Sequence, residues 1–222
     1  MELRVAAVVA NEERMIEAYK SGVDLHRQTA SLVLDKPIDD VSKEDRQLAK
    51  AVNFGLLYGQ SAKGLVAYAK KAYGVEMEYE RARDIRSRFF SAYTGLREWH
   101  KTARKMAAES TQSVRTVSGR VQWLPEGEEA KWPRFTSLLN TPVQGDSADA
   151  LKQAMVDLSD KLPHTASIVS TVHDELIVEC VSDNAEEVKA LVETAMLDAV
   201  QTMFPGVRFE VEAGVCESWA EK

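Results

Sequence analysis

The 222 residues carry 45% hydrophobic side chains and a formal net charge of −7, enough apolar content for the core of one large domain or two small ones. No run of eighteen apolar residues occurs, and Glu2 and Arg4 interrupt the apolar start, so neither a membrane span nor a secretory leader is expected and a cytoplasmic setting follows. Two cysteines, Cys180 and Cys216, lack metal-ligand spacing and suggest neither a disulfide framework nor a zinc site. The acidic sum predicts weak affinity of the whole chain for DNA, because such affinity comes from Lys and Arg neutralising phosphates. Locally the balance differs: positive residues gather at 46–71 and 81–105, and acids at 126–129 and 183–193.

The opening Leu3 to Val9 is short and valine-rich, compatible with a buried strand or the start of a helix. A helical pattern then runs to about Ser110, with Met15, Ile16 and Tyr19 on one face and Pro37 as an interruption. Ser42 with Asp45 has capping-box spacing and opens a helix reaching Tyr58 and Gly59. Further helices are predicted near 61–72, 78–92 and 94–107, then a strand pair or extended loop at Val114 to Trp123 around Ser118-Gly119-Arg120. An acidic loop follows, and a helix from Ser147 to Leu158 has Asp146 as its N-cap. Ala166 to Val178 is strand-like, Asn184 to Met203 is an amphipathic helix, and Val207 to Val215 alternates as a last strand. Helices first, then mixed strands and helices, predict an α+β fold with a helical subdomain.

Three segments carry chemistry. On the helix after Ser42, positions four apart form a slowly winding stripe, which places Arg46, Lys50, Phe54 and Tyr58 together. Two cations in that spacing repel by a few tenths of a kcal/mol unless an anion bridges them. A triphosphate would do so, leaving the two aromatics to stack on a base or sugar; the plain alternative is a solvated basic patch ending in packed aromatics. The second segment is His173-Asp174-Glu175 between apolar runs. Adjacent carboxylates there are costly to bury, and a strand-turn-strand placement would expose them at a hairpin tip, as oxygen ligands for magnesium or as a simple acidic turn. A metal phosphohydrolase with a His-Asp dyad, completed by His26, His100 or His164, is a rival reading, although such dyads sit on helices. The third segment is Asn140 to Gly145, a loop whose Asn and Gln amides could meet base edges.

In this order the three segments resemble the family A DNA polymerases, the group of bacterial DNA polymerase I. Arg46 to Gly59 resembles the fingers helix that grips the incoming nucleotide, and Val172 to Leu176 resembles the palm metal motif. Similarity extends to Glu2-Leu-Arg4, Asp24-Leu-His26, Gly119-Arg120, Leu124-Pro125 and Val211 to Trp219. The resemblance implies a palm strand fragment at 1–10, helical fingers at 11–115 and part of an antiparallel-sheet palm at 116–222. It implies that Arg46, Lys50 and His26 hold the triphosphate, with Lys50 as general acid for pyrophosphate. Phe54 would stack near the sugar and Tyr58 near the base pair. Glu2 would pair with Tyr58 and exclude ribonucleotides. Asp174 and Glu175 would bind Mg2+, of which a complete site holds two ions. His173, Gln144, Asn140 and Arg120 would contact DNA. The implied partners are a DNA template-primer and deoxynucleoside triphosphates.

The sequence also departs from the family pattern. The aspartate that ligates both metals would fall four positions before Met1, so an upstream polymerase segment is expected to supply it together with the thumb, and the isolated chain is expected to be inactive. Thr136 stands where bacterial DNA polymerase I has arginine, and Asp146 adds an acid beside Gln144. Phe54, in place of a tyrosine, implies discrimination against chain-terminating nucleotides. A non-catalytic nucleotide- or DNA-binding module shares Arg46, Lys50 and Tyr58 and is the alternative from a different class.

Overall fold

A computed structural model describes residues 1–127 and 131–221, apart from the side chains of Lys131 and Trp132. Of the acidic loop expected at Glu126 to Glu129, Glu128 and Glu129 lie outside the described residues. Contacts divide the chain into two compact units, one Glu2–Gln144 and the other from Gly145 onward with Met1. This boundary differs from the division at 115/116 expected from sequence. The fold is α+β: helices dominate, with small antiparallel sheets. Among the described residues no helix is long and apolar enough to cross a membrane.

The first unit begins with α1 (Glu2–Val9), where a palm strand fragment was expected. Leu3, Ala6, Ala7 and Ala10 are all buried, and their spacing of three, four and seven residues is helical, with alanines favouring the helix further. Helices α2 (Glu13–Lys20) and α3 (Leu25–Leu34) follow, then α4 (Lys43–Leu57), α5 (Ala62–Tyr73), α6 (Tyr79–Ala92) and α7 (Thr94–Ala108). The Ser42–Asp45 capping box forms as predicted, and Lys36 adds an ion pair to the Asp45 carboxylate. Helix α4 stops at Gly59, whose φ of +86° suits glycine and where a Cβ would lie 2.7 Å from the Phe135 ring.

Glu12, only 2% exposed, joins two helix starts. Its Oε1 accepts from the Arg14 amide at the head of α2, and its Oε2 accepts from the Gly95 and Leu96 amides at the head of α7. That joint is tight enough that a Cβ on Gly95 would come within 2.7–2.8 Å of the Asn11 and Ala10 carbonyl oxygens.

Strands β1 (Ser113–Arg115) and β2 (Val121–Trp123) form the expected hairpin. Together with α7 and α8 (Lys131–Asn140) it encloses a core of Ala103, Val114, Leu124, Phe135, Leu138 and Leu139. Buried Arg134 donates to the Pro125 and Ala107 carbonyls and so pins the hairpin base to α7. Helix α8 has no counterpart in the sequence prediction. The loop expected at Asn140 to Gly145 is instead the end of α8 plus a π-helical turn, Thr141–Gly145. Pro142 has no N–H to give an i→i−4 bond, and a widened turn accommodates that loss within helical backbone.

The second unit holds α9 (Asp146–Ser159), the antiparallel hairpin β3 (Ala166–Val172) and β4 (Glu175–Cys180), and α10 (Ala185–Met203). Leu158, Val188, Val192 and Ala195 form its core, covered by Ile168, Leu176 and Val178. Asp146 is not the N-cap of α9: Gly145 before it is already helical at φ −64°, ψ −48°, and Asp146 is fully buried as the first helical residue. Val207 to Val215 does not form the expected strand. Val207 and Phe209 are buried with exposed neighbours between and after them, so the alternation is real. The segment has no ladder partner among the described residues; instead the Val207 carbonyl accepts from Gln201 Nε2, and the Ala213 amide donates to Glu193.

Candidate functional site

Helix α4 is buried on nearly all sides. From Leu48 to Leu57 only Lys50 and Phe54 are even half-exposed, and Arg46 and Tyr58 extend that opening at either end. Beyond the exposed first turn of Lys43, Glu44 and Gln47, the stripe read from the four-residue spacing is therefore the accessible face of the helix. Its two cations are not equivalent. Arg46 Nε donates to Asp24 Oδ2 at 2.8 Å, while the other Asp24 oxygen caps α3 through the amides of His26 and Arg27. Burial pushes the Asp24 carboxyl up, but the Arg46 guanidinium and those amides outweigh it and hold the group below its ordinary value. Asp24 thus fixes Arg46 by Nε alone and leaves its terminal amines to donate elsewhere. Lys50 has no ion-pair partner among the described residues.

His26 packs beside Phe54, the ring centroids 6.1 Å apart, and its Nδ1 meets the Asn53 amide at 2.9 Å. Burial drives its pKa down to about 4, with Arg46 and Lys50 adding to the fall against the opposing pull of Asp24. The imidazole is neutral at physiological pH.

At the far end of the stripe the Tyr58 hydroxyl donates to Glu2 Oε2 at 2.7 Å, the pairing expected from sequence. Gln144 Nε2 donates to the same hydroxyl at 3.1 Å and also to Glu2. Burial, then the hydrogen bond and charge of Glu2, raise the Tyr58 phenol well above its ordinary value. A carboxylate, a phenol and an amide thus close one end of a face whose other end is cationic.

The second unit presents His173 and Asp174 as the two-residue turn between β3 and β4, closed by the Val172–Glu175 pair. His173 adopts the left-handed φ of 55° that such a turn demands. Both are exposed, and Glu175 is half-buried. The trio is at a hairpin tip, as its apolar flanks suggested. Carboxylate oxygens suit a hard divalent cation in kind, yet among the described residues no three His, Cys, Asp or Glu side chains gather into a metal-ligand set. The phosphohydrolase reading loses its support here: the dyad is on a strand turn, and His100 is a core residue. His100 is 2% exposed, bonds the Leu57 carbonyl through Nε2 and is enclosed by the rings of Phe90, Trp99 and Phe135.

A family model for DNA polymerase family A matches residues 1–221. The chain belongs to DNA polymerase family A. It is 41% identical to DNA polymerase I of Aquifex aeolicus over 224 residues, covering all of this chain and 38% of that protein. To DNA polymerase I of Pseudomonas aeruginosa it is 37% identical, covering all of this chain and 24% of that one. A solved structure, the POL domain of Pol1 from M. smegmatis in complex with DNA primer-template and dNTP, superposes with a TM-score of 0.78 at 31% identity, over 89% of this chain and 35% of that chain. The chain therefore spans well under half the length of these relatives.

Of the other residues expected to contact DNA in a family A polymerase, Asn140 is exposed at the end of α8, and Arg120 is exposed in the β1–β2 turn. Thr136, at the position where the family resemblance implies arginine, donates to the Pro133 carbonyl. Sequence reasoning did not single out Asp24 as the tether of Arg46, nor the buried polar residues Thr29, Asn53 and Tyr93 behind His26. Asp24 has a readable signal, an acid two residues before His26 at a helix start. The other three do not, because their pairing spans up to 64 residues of sequence.

Proposed function

We propose that this chain contributes the nucleotide-holding helix and the palm carboxylates of a DNA-directed DNA polymerase, transferring deoxynucleotides to a primer 3′-hydroxyl under template direction. The observation that carries this reading is the accessible stripe of α4, in which Arg46 and Lys50 precede Phe54 and Tyr58, and Lys50 and Phe54 are the partly exposed residues of the otherwise buried stretch from Leu48 to Leu57. Arg46, held at its Nε by Asp24, offers its terminal amines to a triphosphate, and Lys50 places a cation where negative charge grows on the leaving pyrophosphate. Lys50 is also positioned to donate a proton there. Phe54 takes the sugar, and Glu2, fixed by Tyr58 and Gln144, crowds the position a 2′-hydroxyl would occupy.

Asp174 and Glu175 would hold Mg2+, which supplies activation of the primer hydroxyl and charge neutralisation at the phosphates. A further carboxylate, from polypeptide outside these 222 residues, would complete that set. His173, Asn140 and Arg120 would face the DNA.

Co-expression with a family A N-terminal polypeptide that carries the metal-bridging aspartate tests the proposal. Template-dependent incorporation that vanishes with Asp174→Ala supports it. A stable complex that binds nucleotide without synthesis would make the chain a binding module instead. In the active complex, Phe54→Tyr should relax discrimination against dideoxynucleotides.

A further inference from the structure

Behind His26 runs a buried polar relay. Tyr93, Thr29 and Asn53 are each fully buried. The Tyr93 hydroxyl lies 2.7 Å from Thr29 Oγ1, Thr29 Oγ1 lies 3.0 Å from Asn53 Oδ1, and Asn53 Nδ2 lies 2.9 Å from His26 Nδ1.

Two directions of donation are conceivable. If Tyr93 donates to Thr29, Thr29 donates to the Asn53 oxygen, and the Asn53 N–H donates to His26 Nδ1, which must then be the acceptor. If the relay is reversed, the Asn53 amide is flipped, Thr29 donates to Tyr93, and the Tyr93 proton has no acceptor among the described residues. A buried donor without an acceptor is disfavoured by about fivefold to a hundredfold, whereas in the first direction both hydroxyl protons have acceptors. The difference selects the first direction.

We propose that Tyr93, Thr29 and Asn53 are positioning residues that lock His26 as the neutral tautomer with its proton on Nε2, presenting a fixed N–H donor to a phosphate oxygen of the incoming nucleotide. This rests on the reading of α4 as the nucleotide helix. Its consequence is a division of labour. Arg46 and Lys50 carry the charge, and a third cation beside them would be repelled; a neutral N–H adds direction without adding charge. The groups that bear on the imidazole are Asp24 and the α3 amides on one side, Arg46, Lys50 and Asn53 from α4, and, through Thr29, Tyr93.

The test is 15N–1H correlation of the histidine rings in the 222-residue chain, with and without a deoxynucleoside triphosphate. The wild type should show one Nε2–H tautomer of His26 from pH 8 down to pH 5.5, and nucleotide should shift that Nε2–H resonance. In Asn53→Asp a carboxylate faces Nδ1, so the imidazole should gain a second proton and its pKa should rise by about 1–3 units. Nucleotide affinity should then depend on pH more steeply than in the wild type, where only the phosphate of the ligand titrates in this window. Thr29→Val combined with Tyr93→Phe removes both hydroxyls, so nothing holds the Asn53 amide in one orientation and both tautomers should appear even if Asn53→Asp does not fold. A wild-type Nδ1–H tautomer, or an unchanged tautomer in the Thr29→Val, Tyr93→Phe double variant, overturns the relay. Nucleotide that binds without moving the His26 Nε2–H resonance overturns the phosphate contact. No binding by the wild type at all overturns the reading of α4, and with it this use of the imidazole.

Discussion

The α4 stripe and the β3–β4 turn are the two chemically loaded regions, and they are built in opposite ways. Around α4 nearly every polar group is held by a second one: Asp24 on Arg46, Asn53 on His26, Glu2 and Gln144 on Tyr58. At the β3–β4 tip, His173 and Asp174 are exposed, in a turn fixed by backbone pairing. Holding a multiply charged, flexible triphosphate rewards donors fixed in advance, because ordering them at binding would cost affinity. A carboxylate that takes a cation needs only to be aimed, since the ion supplies the strong field and the remaining ligands. Variants in the first region should therefore act in graded steps, and variants in the second as a switch.

The switch gives the largest expected effect. In the reconstituted polymerase, Asp174→Ala should lower incorporation by about three orders of magnitude or more, the scale on which loss of a charge-stabilising group acts. Stability should move by no more than about 0.5 kcal/mol, because the side chain is exposed at a turn. Primer extension and urea unfolding on the same preparations check both halves; a stability loss matching the activity loss would remove the contrast between the regions.

Lys50→Ala should cost about 10²-fold in incorporation rate, the contribution of a positioned proton donor, with little change in folding. Arg46→Ala should weaken nucleotide binding and also remove the Asp24 pair, which is partly exposed and worth about 0.2–1 kcal/mol to the fold. Single-turnover kinetics beside thermal melts separate these two. Equal rates for Lys50→Ala and wild type would reduce the stripe to a simple electrostatic patch.

How far the sequence revealed each region follows from the range of the interactions. The capping box, the α4 stripe and the hairpin tip depend on residues within about a dozen positions, and all three were legible. Leu3 to Val9 is short enough to read as strand or helix, and the strand fragment expected there fails because the burial of Leu3, Ala6, Ala7 and Ala10 is set by tertiary packing, chiefly on α2, which periodicity over so short a run cannot report. The π turn at Thr141–Gly145 was hidden because Pro142 normally marks a loop. Val207 to Val215 alternates as a strand should, yet a strand also requires a ladder, which alternation cannot report. The relay from Tyr93 to His26 joins three separate segments of sequence.

A smaller effect concerns the scaffold that holds α4 in place. Gly95→Ala would force a methyl carbon against two backbone oxygens and the Glu12 backbone, and backbone cannot step aside as a side-chain tip can. The cost should be about 1–3 kcal/mol, the usual price of overpacking, read as a lowered urea midpoint with unchanged slope. A neutral outcome would show that the Glu12 joint between α2 and α7 is looser than its hydrogen bonds indicate.

The last expected effect is a dependence of stability on pH. Burial holds the His26 and His100 imidazoles down to about 4, while in the unfolded chain they protonate near their ordinary value of about 6.5. Between those limits the unfolded state binds protons that the native state refuses, so stability rises with pH across this window. The contribution is complete above about 6.5 and is lost as pH falls toward 4, with a slope of up to about 1.4 kcal/mol per pH unit for each histidine. Asp24 and Asp45, both held below their ordinary values, add a loss of the same sign only in the carboxylate range beneath. Urea midpoints at pH 7.5 and 5.5 measure the histidine part alone. His100→Gln keeps an N–H donor for the Leu57 carbonyl but cannot titrate, so it should flatten the slope by about the share of one proton. Since His100 is far more deeply buried than His26, a slope unchanged in His100→Gln would assign the whole dependence to His26 and the α4 face.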